Sequence, residues 1–255
     1  MSQDKIPTYD FACAVDDMLS DISIVIRDEK YLSNTPKQEH IRDSLSYDKK
    51  LEYVHLPSIL NSDDMPSVKW LLEEGFLPEA IANYLVLMGN KTSQKIFKMQ
   101  DTIEWLDLDK ISKSPIHFDI EILKNINHEH LNNLDSKELS RYVGFADEEI
   151  GRLAKVYLQE VSTTKELKSK ISAIFADKEI PKEFLESSKI IVKIIKNAPY
   201  FEDYVDFQSY IMKKSGLDAQ RLSKTLYYLL TGEESGPDIA KIYKYLKNYI
   251  GEIIK

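Results

Sequence analysis

The chain predicts an α/β fragment, with three parallel strands of a Rossmann-type sheet, running into a long all-α region, so that it is mostly α overall. Two observations predict this. Residues 7–60 alternate strand-like and helix-like segments, and such alternation implies parallel pairing through crossover helices. From residue 66 onward the pattern is helical throughout, with caps and breakers at each boundary. No earlier strand–helix unit precedes residue 7, so the sheet reads as the second half of a larger one.

In order, Pro7–Asp17 reads as the first strand, with Tyr9, Phe11, Cys13 and Val15 alternating on one face. Asp16 and Asp17 would stand at its carboxyl end, where ligands gather in open α/β sheets. A short helix, MLSDI, follows. The second strand, SIVIRDEKYL, opens as a continuous apolar run of the kind buried on both faces. It delivers Arg27 at its carboxyl end, a position suited to holding a carboxylate through two parallel hydrogen bonds. The plain alternative is a surface ion pair with Asp28 or Glu29. Ser33-Asn34-Thr35-Pro36 starts a helix whose apolar residues are Ile41 and Leu45. Leu51–Leu60 is the third strand.

The helical region opens after the polar turn at residues 61–66. Pro66 and Gly75 bracket one helix, Pro78 and Gly89 the next. The apolar stripe of the second is Ala80, Ile81, Tyr84, Leu85 and Met88. Capping boxes are read at Asp101–Glu104, Asp135–Glu138 and Thr163–Glu166. Pro181 starts another helix, and one continues from Phe201 to Gly216. Asp218 caps a helix that stops at Gly232. Pro237 starts the last, with Ile239, Ile242, Leu246, Ile250 and Ile253 in one stripe. This is a helical bundle.

At 255 residues, with 43% hydrophobic and 30% charged residues, the chain can bury a sizeable core in one or two domains. No run of about 18 apolar residues occurs, so no membrane span is expected. The N-terminus lacks the basic-then-apolar pattern of a secretory signal, and the single cysteine, Cys13, fits a small hydrophobe in a reducing, cytoplasmic setting. The net charge of −8 argues against indiscriminate nucleic-acid binding. That excess is local: residues 1–90 hold 8 Lys and Arg against 16 Asp and Glu, and residues 91–255 hold 26 of each. The neutral helical part can therefore still follow a phosphate backbone with clustered lysines. No glycine-rich phosphate loop follows a strand. His128 and His130 lie two apart, on different sides of a helix, and no metal site is expected.

Several segments carry a family resemblance. They are Pro7-Thr8-Tyr9-Asp10-Phe11-Ala12, Val15-Asp16-Asp17, Val25-Ile26-Arg27-Asp28-Glu29, Leu32–Gln38 and His55-Leu56-Pro57. Further on come Gly75–Ala80, Asn83-Tyr84-Leu85, Ile111–Pro115, Phe118-Asp119, Thr231-Gly232 and Gly236-Pro237. In this order the chain resembles bacterial glutamyl-tRNA synthetase, a class I enzyme, almost from end to end. The resemblance implies the second half of a Rossmann-type catalytic domain at 1–65, a helical stem-contact region at 66–140 and a helical anticodon-binding domain at 141–255. It implies that Tyr9 and Arg27 bind the substrate glutamate, with Arg27 on its side-chain carboxylate. It implies ATP as cosubstrate and tRNA(Glu) or tRNA(Gln) as partner.

Two of the family's ATP elements have no counterpart. The His-Ile-Gly-His-type signature would precede residue 1. The Lys-Met-Ser-Lys-Ser-type loop would fall between Leu60 and Pro66, where Asn61-Ser62-Asp63-Asp64-Met65 stands. The expectation is a shortened form that binds tRNA through its helices and does not activate glutamate alone. The alternatives are a non-catalytic tRNA-binding paralogue, or a subunit paired with a separate N-terminal half. The open sheet edge also invites self-association.

Overall fold

The computed structural model describes residues 6–60 and 66–254. The expected lysine-loop position, Asn61–Met65, lies outside the described residues. The chain divides into two compact units. One comprises residues 1–66 and 82–120, the other residues 67–81 and 121–255.

In the first unit, the expected first strand is a helix: α1 spans Tyr9–Leu19. In the folded chain Cys13, Ala14 and Met18 recur at helical spacing and form the covered side of α1, whereas Tyr9 and Phe11 are exposed. Alanine, methionine and leucine tip the balance because they lose little on entering a helix. Thr8 takes the extended N-cap conformation, and Asp10 sits in the first turn, where the helix dipole favours a carboxylate. The helix ends before Asp21, whose φ of 52° is left-handed. Asp16 and Asp17 therefore lie in the last turns of a helix and not at a strand end.

The second expected strand forms only over Ile24–Asp28, with Glu29–Asn34 a 3-10 turn, and the third forms in two pieces. β1 (Ile24–Asp28) pairs in parallel with β2 (Glu52–Leu56) through a 3-10 turn and helix α2 (Thr35–Ser44), a βαβ unit. The sheet has two strands rather than three. The third expected strand breaks at Pro57, which has no N–H to donate to a ladder. Its remainder, β3 (Ile59–Leu60), pairs in parallel with a different segment, Ile116–His117. From sequence that segment reads as part of the helical stretch, because two residues are too few to show an alternation.

Residues 67–81 belong to the second unit, and α3 (Val68–Glu73) is capped by the Ser67 hydroxyl, which accepts from the Trp70 N–H at 3.1 Å. Gly75 closes this segment with φ of 87°. Its carbonyl accepts from the Thr164 N–H at 2.9 Å, and a Cβ there would lie 2.4 Å from the Lys165 nitrogen. Helix α4 (Pro78–Gly89) buries Ala80, Ile81 and Tyr84, whereas Leu85 is exposed. Beyond it come α5 (Thr102–Trp105) and β4 (Ile116–His117). The capping box expected at Asp101 does not form around α5. The Asp101 carboxylate instead accepts from the Lys98 N–H at 3.2 Å, closing the preceding 3-10 turn.

The rest of the second unit is helical: α6 (Ile120–Asn133), α7 (Ser136–Tyr142), α8 (Glu148–Tyr157), α9 (Thr164–Phe175), α10 (Leu185–Ile195), α11 (Tyr204–Ser215), α12 (Ala219–Thr231), α13 (Ile239–Leu246) and α14 (Ile250–Ile253). Both capping boxes expected here form, with Glu138 and Glu166 reaching back to the N–H groups of Asp135 and Thr163. Asp218 caps α12. The core includes Leu153, Leu167, Ile171, Ile191, Leu222 and Leu226, all with no exposed surface. The terminal stripe buries Ile242, Leu246 and Ile253. Among the described residues no helix is long and apolar enough to cross a membrane.

Candidate functional site

In the first unit, polar side chains converge on Arg27. The parallel register sets Arg27 of β1 beside His55 of β2. Tyr53, two residues before His55, shares its face of the strand. Helix α2 supplies Thr35 in its first turn and Gln38 one turn later. The guanidinium donates to Gln38 Oε1 at 2.7 Å and to Thr35 Oγ1 at 2.7 Å. Its Nε lies 3.4 Å from His55 Nε2, and it sits over the Tyr53 ring at 4.9 Å from the centroid.

Every one of these partners is neutral. Burial first, and then the Arg27 charge, hold His55 below the ordinary imidazole value, which keeps the ring uncharged near pH 7. Its Nε2 can then accept from Arg27. A guanidinium carries five N–H donors, and three are engaged. Arg27 makes no ion pair with Asp28 or Glu29. Asp28 accepts from the Lys30 N–H at 2.9 Å and the Ser58 hydroxyl at 3.4 Å, and Glu29 accepts from the Ser58 N–H at 3.1 Å. The strand-end arginine is thus held in place by hydrogen bonds that leave its charge uncompensated, an arrangement suited to receiving an external carboxylate.

Tyr9 lies at the start of α1, 56% exposed, and stacks on Tyr31 with ring centroids 5.8 Å apart. A hydrogen bond with the Cys13 side chain, one turn on, raises its hydroxyl value, burial adds to this, and Arg27 lowers it in part. Cys13 is therefore half-buried on a helix beside Tyr9, not within a strand. Asp10, next to Tyr9, accepts from Gln38 Nε2 at 3.4 Å and pairs with Lys37 at 3.8 Å. Tyr9 and Arg27 thus share one neighbourhood, joined through Asp10 and Gln38.

Four residues of this cluster carried no role in the sequence reading: Thr35, Gln38, Tyr53 and His55. Three of them sat within segments that carry the resemblance. The available signal was the register, because a residue across from Arg27 on a parallel neighbour must share its face. Behind them, Arg42 is 3% exposed and donates to the Tyr53 hydroxyl at 2.6 Å, while its second terminal nitrogen is buried without a partner. Among the described residues no group of three or more His, Cys, Asp or Glu could hold a metal ion. In the second unit, His128 Nδ1 lies 3.0 Å from the Val161 carbonyl.

Residues 1–125 match the family described as tRNA synthetases class I (E and Q), catalytic domain. The glutamate–tRNA ligase 2 of Sulfurimonas denitrificans is 61% identical over 263 residues, covering 100% of this chain and 61% of that protein. The chain is a homologue of the glutamate–tRNA ligases. The glutamate–tRNA ligase 1 of a Nitratiruptor species is 50% identical, over 99% of this chain and 60% of its own length. A crystal structure titled as a glutamate tRNA ligase from Elizabethkingia meningosepticum in complex with its amino acid has the same fold. Its TM-score is 0.71 at 20% identity, covering 98% of this chain and 60% of that one. The chain therefore spans about three fifths of the ligases it matches. The Sulfurimonas alignment also runs longer than the 255 residues here, so that ligase carries residues this chain lacks.

Proposed function

We propose that this chain is the glutamate-recognising and tRNA-binding portion of a glutamate–tRNA ligase, and that alone it does not form glutamyl adenylate. The observation that carries the first part is Arg27, a fixed guanidinium with free donors and only neutral partners. Its charge and fork match the side-chain carboxylate of glutamate, and Tyr9 supplies a hydroxyl in the same neighbourhood.

ATP, which the resemblance implies, is not expected to bind productively to this chain alone. Asp28 and Glu29, fixed by backbone and serine donors at the end of β1, would repel a triphosphate. The proposal that the helical second unit binds tRNA rests on homology to the ligases and on that unit's near balance of 22 basic against 24 acidic residues. A second reading, a subunit completed by a separately supplied N-terminal half, is favoured by β1. Ile24 and Ile26, on the face opposite Arg27, are 41% and 51% exposed in a two-stranded sheet that is marginal by itself.

The test has three arms. Calorimetric titration of the chain with L-glutamate should give binding that Arg27→Gln removes. Glutamate-dependent pyrophosphate exchange should stay at background, and exchange above it would overturn the claim of inactivity. Purified tRNA should be retarded by the chain at low salt. Absence of retardation at high protein concentration removes the tRNA-binding role.

A further inference from the structure

The last turns of α2 and the segment leading into β2 line a cavity of about 470 Å³ within the first unit. Its lining is mostly charged and of both signs, with Arg42, Lys49 and Lys50 against Glu39, Asp43 and Asp48. Lys49 is already engaged in an ion pair with Asp21, whose carboxylate also accepts from the Tyr47 hydroxyl at 3.4 Å. The other five form no ion pair among the described residues, and all of them but Arg42 are exposed. Glu39 and Asp43 stand four residues apart on one face of α2. Asp43 lies in the last turn, where the helix dipole favours a bound cation.

Arg42 separates this cavity from a groove between surface charges. It lines the cavity and is 3% exposed. A guanidinium carries five N–H donors and a permanent charge. One terminal nitrogen of Arg42 donates to the Tyr53 hydroxyl at 2.6 Å, and the other, Nη1, is buried with no hydrogen-bond partner. The Tyr53 ring centroid lies 5.8 Å from the Arg42 guanidinium and 4.9 Å from that of Arg27. The ring therefore brings a second cation toward Arg42 instead of a counter-charge. A buried charge left without a counter-charge is strongly destabilising, and an anionic group held in the cavity removes that cost.

We propose that this cavity binds a free α-amino acid as its zwitterion. The carboxylate meets Nη1 of Arg42 and the ammonium of Lys50, and the amino group meets Glu39 and Asp43. Inorganic phosphate would satisfy Arg42 but bring two negative charges among three carboxylates. A simple carboxylic acid would satisfy Arg42 and leave the acidic side chains unanswered. A simple amine would do the reverse and leave Arg42 unpaired. A carboxylate joined to an ammonium answers both signs of the lining. The assignment does not depend on the glutamate reading of Arg27.

The test is calorimetric titration of the full chain with glycine, acetate, methylammonium and inorganic phosphate. Glycine should bind about tenfold tighter than any of the other three. Arg42→Met should weaken glycine about tenfold and leave methylammonium unchanged. This variant removes a buried charge that has no counter-charge, so it keeps the fold, which its unfolding transition verifies. Glu39→Gln combined with Asp43→Asn changes only exposed side chains, and should weaken glycine about tenfold without weakening acetate. Arg27→Gln should leave glycine binding unchanged, which separates this cavity from the site proposed for glutamate. The proposal is overturned if glycine does not bind, if acetate or phosphate binds as tightly as glycine, if the Glu39 and Asp43 variant leaves glycine binding unchanged, or if Arg27→Gln removes it.

Discussion

Gln38 Oε1 accepts a 2.7 Å hydrogen bond from Arg27, and Gln38 itself has no exposed surface. A buried amide on α2 therefore fixes the direction of a half-buried cation on β1. Its other end donates to Asp10 at 3.4 Å, which ties the helix carrying Tyr9 to the same point. The cluster is one network, and removing its centre affects both fold and binding.

Gln38→Ala should destabilise the chain by about 1–3 kcal/mol, because one guanidinium donor and the Asp10 carboxylate each lose a partner. Urea unfolding of the two proteins side by side measures this. A change within experimental error would mean that Arg27 is positioned by Thr35 and His55 alone.

Arg27→Lys keeps the charge but loses the fork, so glutamate affinity should fall by about tenfold or more. Titration calorimetry reads the loss. Unchanged affinity would remove Arg27 from the site.

Stability should decrease on acidification through about pH 6.5. His55 and His130 both have folded-state values below the ordinary imidazole value, mainly through burial, which Glu79 partly opposes at His130. In that window the unfolded chain binds more protons than the folded one, so stability rises with pH and is lost as pH falls, levelling off below the folded values. Denaturant midpoints at pH 7.5 and 5.5 measure the slope. His55→Gln combined with His130→Gln should flatten it.

Gly151→Ala should destabilise although alanine is the better helix former. A Cβ at residue 151 of α8 would stand 1.6 Å from the Ser136 carbonyl oxygen of α7. Relieving that overlap requires the two helices to part, at a cost of about 1–3 kcal/mol or more, against a propensity gain of about 1 kcal/mol. Thermal unfolding decides the sign.

Tyr157→Phe should be neutral or stabilising. The Tyr157 side chain is 1% exposed, its hydroxyl is buried without a partner, and burial pushes its ionisation far above the ordinary range. Deleting a polar atom that makes no hydrogen bond removes a desolvation cost and leaves the packing intact. A loss of more than about 1 kcal/mol would show that the hydroxyl has a bound water as partner.

What could be read in the sequence divides along a physical line. The helical half was legible because caps are local. Asp135 with Glu138, Thr163 with Glu166, and Asp218 before α12 satisfy orphan donors within one turn, so the residues that make them are neighbours in the chain. Arg27 at the end of β1 was legible for a similar reason, since the apolar run before it is continuous.

The tertiary structure decided the rest. Whether Tyr9–Leu19 is strand or helix depends on what it packs against, because over so few residues Tyr9, Phe11, Cys13 and Val15 fit an alternation while Cys13, Ala14 and Met18 fit a helical face. The pairing of β3 with Ile116–His117 joins segments that no local pattern connects. The partners of Arg27 come from two other elements, α2 and β2, so their identity depended on the register. By itself, the sequence determined which groups this protein carries and where the capped helices α7, α9 and α12 begin. Only the fold determined that the guanidinium of Arg27 is surrounded by neutral partners. Charge compensation is a property of distances through space, and sequence spacing does not contain them.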